Sequence, residues 1–225
     1  MNTKPIPFST AMVRALLAGR KTQTRRAMKP QPDLTPELND DAEAEFYAGD
    51  ECVHIRPCPY GKPGDLLWVR SPWRTHADLD PYPPRDLMLL DGLSIYYEGI
   101  TTSVGVDWGR YRHARFMPRA FSLLTLQLTD VRVQRLQDIS EVDARAEGLE
   151  RRLDWLPQYR GAPGLPWRSE FPREAFSDLW QSINGPESWD VNPWVWALSF
   201  RVIHANVDAV LADPAAHGAE VRNVA

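Results

Sequence analysis

A chain of 225 residues that is 43% hydrophobic and 25% charged has enough apolar side chain for a sizeable core. Its net charge of −4 argues against strong nonspecific attachment to nucleic acid. No run of about 18 apolar residues is present, and the opening Met-Asn-Thr-Lys-Pro-Ile-Pro lacks an apolar signal core, which together predict a cytoplasmic protein without a membrane partner.

In chain order, Ser9 to Ala18 predicts a short helix with Met12, Leu16 and Leu17 on one face, Ser9 as its N-cap and Gly19 as its stop. Gly19 to Arg26 then reads Gly-Arg-Lys-Thr-Gln-Thr-Arg-Arg. From Met1 to Pro32 the chain holds Lys4, Arg14, Arg20, Lys21, Arg25, Arg26 and Lys29 but no Asp or Glu. Such a reversal in an acidic chain suits a pocket for an anionic or polar ligand, with Thr22 and Thr24 as hydroxyl partners. A solvated basic turn, favoured by the nearby helix C-terminus, is the alternative.

Pro30 to Glu51 is acidic, proline-bearing and weakly patterned, and predicts a loop or insertion. Cys52 and Cys58 flank His54, but C-x5-C lies outside ordinary zinc spacing, so two reduced loop thiols and no metal are expected. Lys62-Pro-Gly-Asp65 predicts a type II turn and Leu66 to Arg70 a strand. Ser71 to Pro84 reads as loop and Leu93 to Glu98 as strand. Ile100 to Arg119 interleaves Trp108, Tyr111 and His113 with Arg110, Arg112, Arg115 and Arg119, a mixture that stacks on nucleic acid or packs as an ordinary loop.

Leu124, Leu126 and Leu128 alternate with Thr125, Gln127 and Thr129, giving a strand within Phe121 to Arg135 with a bend at Asp130. Ser140-Glu-Val-Asp143 is a capping box for a helix that Gly148 stops. Glu147 then sits at a helix C-terminus, where a carboxylate is disfavoured by about 0.3–1 kcal/mol. Arg151 to Pro172 reads as loop, with Trp155, Tyr159 and Trp167. Arg173 to Ile183 is an amphipathic helix on Ala175, Phe176, Leu179, Trp180 and Ile183, closed by Asn184-Gly185. Val195 to Ile203 is the last strand, and 206–225 a short helix and tail.

Several of these stretches resemble one family. Lys21, Thr22, Thr24 and Arg26, after Ala18-Gly19-Arg20, look like the G-x-K-T-x-T-x-R signature of ASCH domains. In the small bacterial N4-acetylcytidine amidohydrolases of that family the signature follows a helix beginning near a Phe, here Phe8. Pro63-Gly64-Asp65 before an apolar strand is similar to their next element. Ala144-Arg-Ala-Glu147-Gly148 resembles their Ala-x-x-Glu-Gly, whose Glu faces the signature Lys. Trp180, Asn184 and Ser188-Trp-Asp-Val-Asn-Pro-Trp-Val-Trp196 resemble a larger phage and prophage ASCH subgroup. Ser71-Pro72 departs from that subgroup, which carries an acidic residue after the strand.

The resemblance implies an α+β chain with a PUA-like (ASCH) fold, a small mixed β-barrel with short helices and long loop insertions. It implies one domain over 1–205, with insertions near 30–60, 71–118 and 150–172. The implied activity removes an acyl group from the exocyclic amine of an N4-acetylcytidine-like nucleoside without cofactor or metal. Lys21, Thr24 and Glu147 would be catalytic, and Arg20, Thr22, Arg25, Arg26, Arg115 and Arg119 would bind substrate. The partner is a modified nucleoside or RNA, with no protein partner evident. A lysine that attacked the acetyl group directly would end as a stable amide, so Lys21 is expected to activate Thr24 or water instead. The alternatives are an RNA or modified-base binding module without catalysis, a metal-independent ribonuclease, and a phage structural role.

Overall fold

Short strands outnumber helices among the described residues, and the period-two burial expected of a half-exposed strand is clearest over Glu43–Ala48. The computed structural model describes residues 1–98, 100–101, 106–153, 157–169 and 171–213. The elements run β1 (Thr3–Pro7), α1 (Thr10–Leu17), β2 (Gln23–Ala27), β3 (Pro36–Leu38), β4 (Glu43–Ala48), β5 (Glu51–Pro57), β6 (Leu66–Arg70), β7 (Trp73–Arg74), α2 (Pro84–Leu87) and β8 (Tyr96–Tyr97). They continue with β9 (Thr125–Arg135), α3 (Glu141–Ala146), β10 (Glu150–Leu153), β11 (Pro157–Arg160), β12 (Arg168–Ser169), α4 (Pro172–Asn184), β13 (Trp194–Ile203) and α5 (Val207–Ala212). The chain is thus α+β. No sheet among the described residues closes into a barrel: the strand orders are open, and β1 and β2 each have a single neighbour, β6 and β13.

Two compact units form. The first gathers Met1–Arg14, Leu66–Gln127 and the described part of Val202–Ala225. In it β1 lies parallel to β6, Thr3 opposite Leu66 and Pro7 opposite Arg70, and β6 runs antiparallel to the start of β9. Leu66 and Trp68 pack with Val207 and Val210 of α5, while Trp73, Leu87, Met117 and Phe121 form a second cluster. Asn206 caps α5, accepting from the Asp208 amide at 2.8 Å. The proposed 206–225 tail beyond Asp213 lies outside the described residues.

The second unit comprises Ala15–Asp65 and Leu128–Arg201. Its core joins Leu136, Ile139 and Ala144 to Phe176, Leu179 and Trp180 of α4 and to Val195. β13 pairs antiparallel with β2, placing Thr24 opposite Leu198 and Arg26 opposite Trp196. The expected type II turn is present: the Asp65 amide donates to Lys62 O at 3.0 Å and Gly64 has φ +92°.

Two stretches read as loop hold three-stranded sheets instead, and a third, Ser71 to Pro84, holds β7. Within 30–60, β3, β4 and β5 form an antiparallel sheet. Ala44 and Phe46 are buried, whereas Glu43, Glu45 and Tyr47 between them are half-buried. That is a period-two pattern, masked in the sequence by the acidic residues on its open face. Similarly, β10, β11 and β12 form a small sheet within 150–172, where Tyr159 is buried; Trp155 lies outside the described residues. Conversely, the strand expected over Leu93 to Glu98 is only Tyr96–Tyr97. β9 continues through Asp130, but Thr129 and Asp130 are exposed in succession before buried Val131, so the alternation slips by one where the bend was expected.

Candidate functional site

The second unit positions the signature residues. α1 ends at Leu17, Gly19 with φ +67° lets the chain reverse just beyond it, and the amides of Arg20 and Lys21 both donate to Ala15 O, at 2.9 and 3.1 Å. Lys21 then makes an isolated antiparallel bridge to Glu147, and the Thr22 amide donates to Ala146 O at 2.8 Å. Opposite it, Ser140 Oγ accepts from the Asp143 amide at 3.0 Å and starts α3, which ends with Glu147 as its C-cap. Gly148 has φ +93°, and a Cβ there would lie 2.8 Å from Lys21 Cβ and 2.9 Å from Ala15 Cβ. Only glycine lets the two segments approach so closely.

The outcome is a buried ionic cluster. Lys21 has 0% exposure, and its Nζ donates to Glu147 Oε2 at 2.8 Å and to Glu147 O at 2.9 Å. Arg25 Nη1 donates to Glu147 Oε1 at 3.1 Å and Nη2 to Asp143 Oδ2 at 3.0 Å. Gln23 Nε2 donates to Asp143 Oδ1 at 2.9 Å, and Arg132 Nη2 to Asp143 Oδ2 at 3.3 Å. The Arg25 guanidinium also lies 5.9 Å from the centre of the Phe176 ring. Glu147 at the helix end is therefore held by two cations, which offset the unfavourable helix-end field.

Burial pulls the Lys21 ammonium below its ordinary value; Glu147 opposes this, and Arg26 and Arg25 add to it. Burial likewise lowers Arg26, against the opposing influence of Tyr60 and Glu147. Burial pushes the Asp143 carboxyl up, but the hydrogen bond from Gln23 and the charges of Arg132 and Arg25 more than reverse this and leave it lowered.

Beside the cluster lies a cleft of about 480 Å³, lined by Arg26, Lys29, Arg56, Tyr60, Asn184 and Trp196 together with Ala27, Pro57 and Pro59. Strand alternation puts Gln23 and Arg25 on one face of β2, into the ionic cluster, and Thr24 and Arg26 on the other. Thr24 is buried at 1% exposure, whereas Thr22 is exposed. Arg26 connects the two regions: it feels the Glu147 charge and lines the cleft.

Of the residues singled out in the sequence, Lys21, Arg25 and Glu147 are joined by direct contacts. Arg20 is exposed, and its Nη1 donates at 3.4 Å to Gly148 O and Leu149 O, tying the turn after α3. Arg115 and Arg119 belong to the first unit, and the contacts that they make are within it. Arg119 donates to Asp208 Oδ1 and Thr3 Oγ1, while Arg115 lies over the Phe116 ring and its carbonyl accepts from Arg70. Cys52 is exposed and Cys58 buried, both as free thiols. Sequence reasoning missed Gln23 and Arg132 as partners of the cluster and saw Asp143 only as a capping residue. It also missed Lys29, Arg56, Tyr60, Asn184 and Trp196 as a shared lining. The alternation Ala44–Phe46 was the one available signal that Arg56 to Tyr60 follow an ordered sheet.

Comparison of the chain with protein-family models, with curated proteins and with solved structures returns no significant match.

Proposed function

We propose that the protein is a PUA-like, ASCH-type hydrolase that removes an acyl group from the exocyclic amine of a modified cytidine. One observation carries the reading: a wholly buried Lys21–Glu147 pair lies next to Arg26, which opens onto a cleft that Tyr60 walls with aromatic surface. A buried lysine whose pKa burial lowers, hydrogen-bonded to a carboxylate, is suited to proton transfer. The cleft supplies aromatic surface for a base and cationic donors for an electron-rich oxygen.

In this mechanism water attacks the acyl carbonyl as its proton passes to the Lys21–Glu147 pair. Arg26 faces the oxygen that becomes negative and stabilises it electrostatically. When the tetrahedral adduct collapses, the C–N bond breaks and the exocyclic nitrogen takes the proton passed on by Lys21 and Glu147. The products are cytidine and the free acid.

A second reading follows from the enclosure of Lys21. Its Nζ already donates to both oxygens that Glu147 presents to it, and it has no exposed surface. A cluster so enclosed also suits a purely structural role beneath a binding cleft, which corresponds to the module that binds a modified base or RNA without turnover.

The test is incubation of the purified protein with N4-acetylcytidine and chromatographic quantification of cytidine. Turnover by the native chain, with loss of at least ~100-fold in Lys21→Ala and Glu147→Gln, is expected. Binding of the nucleoside with no product from the native chain would replace this reading with the binding module.

A further inference from the structure

Three cations line the cleft, Arg26, Lys29 and Arg56, and no carboxylate does. In a chain with net charge −4 this is a local excess. Lys29 is exposed and forms no ion pair among the described residues. Arg56 is held without being neutralised: its Nη1 donates to the Pro30 carbonyl at 2.8 Å, and its guanidinium lies 5.2 Å from the centre of the Phe46 ring. Some cations of this unit are compensated, while Arg20, Arg135 and Arg173 donate to backbone carbonyls outside the cleft. Lys62 pairs with Asp41 at 2.7 Å and Arg168 with Asp178 at 2.7 Å. A second cavity, on α4, shows the contrast: Arg168 and Arg173 line it beside Glu141, Glu174 and Asp178, and so it has no preference for an anion.

We propose that the cleft of Arg26, Lys29, Arg56, Tyr60, Asn184 and Trp196 takes a phosphorylated nucleoside, a mononucleotide rather than a free nucleoside. The proposal rests on the reading of this cleft as the nucleoside site. Lys29 and Arg56 hold the phosphate monoester, two uncompensated cations for a dianion. Half-buried Tyr60 supplies aromatic surface for the base, with Trp196, 1% exposed, buried in the lining. Asn184 Nδ2 is engaged with Trp180 O at 3.0 Å, which leaves its side-chain carbonyl as an acceptor for a base N–H. The volume of about 480 Å³ lies within the range of ~300–1,000 Å³ usual for small-molecule sites and gives room for one nucleotide.

Calorimetric titration of the intact protein tests this with cytidine, cytidine 5′- and 3′-monophosphate, inorganic phosphate and a short single-stranded oligocytidylate. One of the two monophosphates is expected to bind at least ~10-fold tighter than cytidine and than phosphate alone. In Lys29→Ala/Arg56→Ala that advantage over cytidine is expected to fall within about threefold. Because Arg56 also supports Pro30 and Phe46, the single variant Lys29→Ala is titrated as well, and it should lower monophosphate affinity while leaving cytidine affinity in place.

Equal binding of nucleoside and monophosphates by the native protein would overturn the proposal. Phosphate binding as tightly as the nucleotides would reduce the site to a simple anion site, and oligocytidylate binding far tighter than either monophosphate would assign the cleft to a polynucleotide. The catalytic reading fails separately. Tight monophosphate binding without hydrolysis of N4-acetylcytidine monophosphate removes the hydrolase and keeps the phosphate subsite. Hydrolysis of the free and phosphorylated nucleosides at equal kcat/KM removes the subsite and keeps the hydrolase.

Discussion

Replacing Glu147 with Gln is the most informative single change in the ionic cluster. The carboxylate is 3% exposed and faces two cations whose side chains have no exposure, Lys21 at 2.8 Å and Arg25 at 3.1 Å. An opposite charge about 4 Å away is worth ~4 kcal/mol at an effective dielectric near 20. The loss is limited because Lys21 sheds its proton rather than remain charged and unpaired. Breaking a buried pair from one side costs about 3–5 kcal/mol, and Glu147→Gln is expected in that range.

Lys21→Met should cost less, roughly 2 kcal/mol, because Glu147 keeps the hydrogen bond from Arg25. The double variant Lys21→Met/Glu147→Gln should then fall well short of the sum, by more than about 1 kcal/mol. Urea unfolding at neutral pH measures all three.

The pH dependence gives a second check with a definite sign. The folded pKa of Lys21 lies below the 10.5 of an ordinary lysine, so between the two values the unfolded chain holds more protons and stability rises with pH. Glu147→Gln removes the influence that raises this pKa, which widens the window downward. The deficit of Glu147→Gln relative to the native chain should therefore shrink as the pH climbs toward the native chain's folded Lys21 pKa and stay level from there to 10.5. A deficit smaller than that of Lys21→Met, or one unchanged by pH, would refute the reasoning.

Gly148→Ala should destabilise by about 2–4 kcal/mol, from a positive φ imposed on alanine plus overpacking against Lys21 and Ala15, measured by chemical unfolding. Ser140→Ala removes the side-chain acceptor of α3 and should cost about 1 kcal/mol in the same assay. Asp143 has a lowered folded pKa, so its contribution is present above its ordinary value of 3.8 and is lost as the pH falls through the folded value. Asp143→Asn should accordingly flatten the stability profile in acid, as read from unfolding midpoints between neutral pH and the native chain's acid transition.

How much of this was legible in the sequence differs from element to element. Ser9, Gly19, Ser140, Gly148 and Gly185 act through local backbone chemistry, and the helices that they bound lie within a residue or two of expectation. β6 and β13 were legible because their apolar runs leave no other reading. β3 to β5 were hidden because one face of β4 carries Glu43 and Glu45, and acidic side chains look like loop until their partners are known. The Lys21–Glu147 contact entered as an implication of resemblance, since 126 positions separate the two residues and no local pattern joins them. The cleft was invisible for the same reason: Arg26, Tyr60, Asn184 and Trp196 come from four distant segments.

The two faces of β2 carry different chemistry, and this makes the turn before it a length standard. One residue inserted between Gly19 and Gln23 would rotate every following side chain through half a turn of the pleat. Arg26 would then enter the ionic cluster, and Arg25 would stand in the cleft. None of the cluster or cleft side chains would be replaced, yet both sites would be lost together. This segment should therefore accept many substitutions in Thr22 but no change in the number of residues.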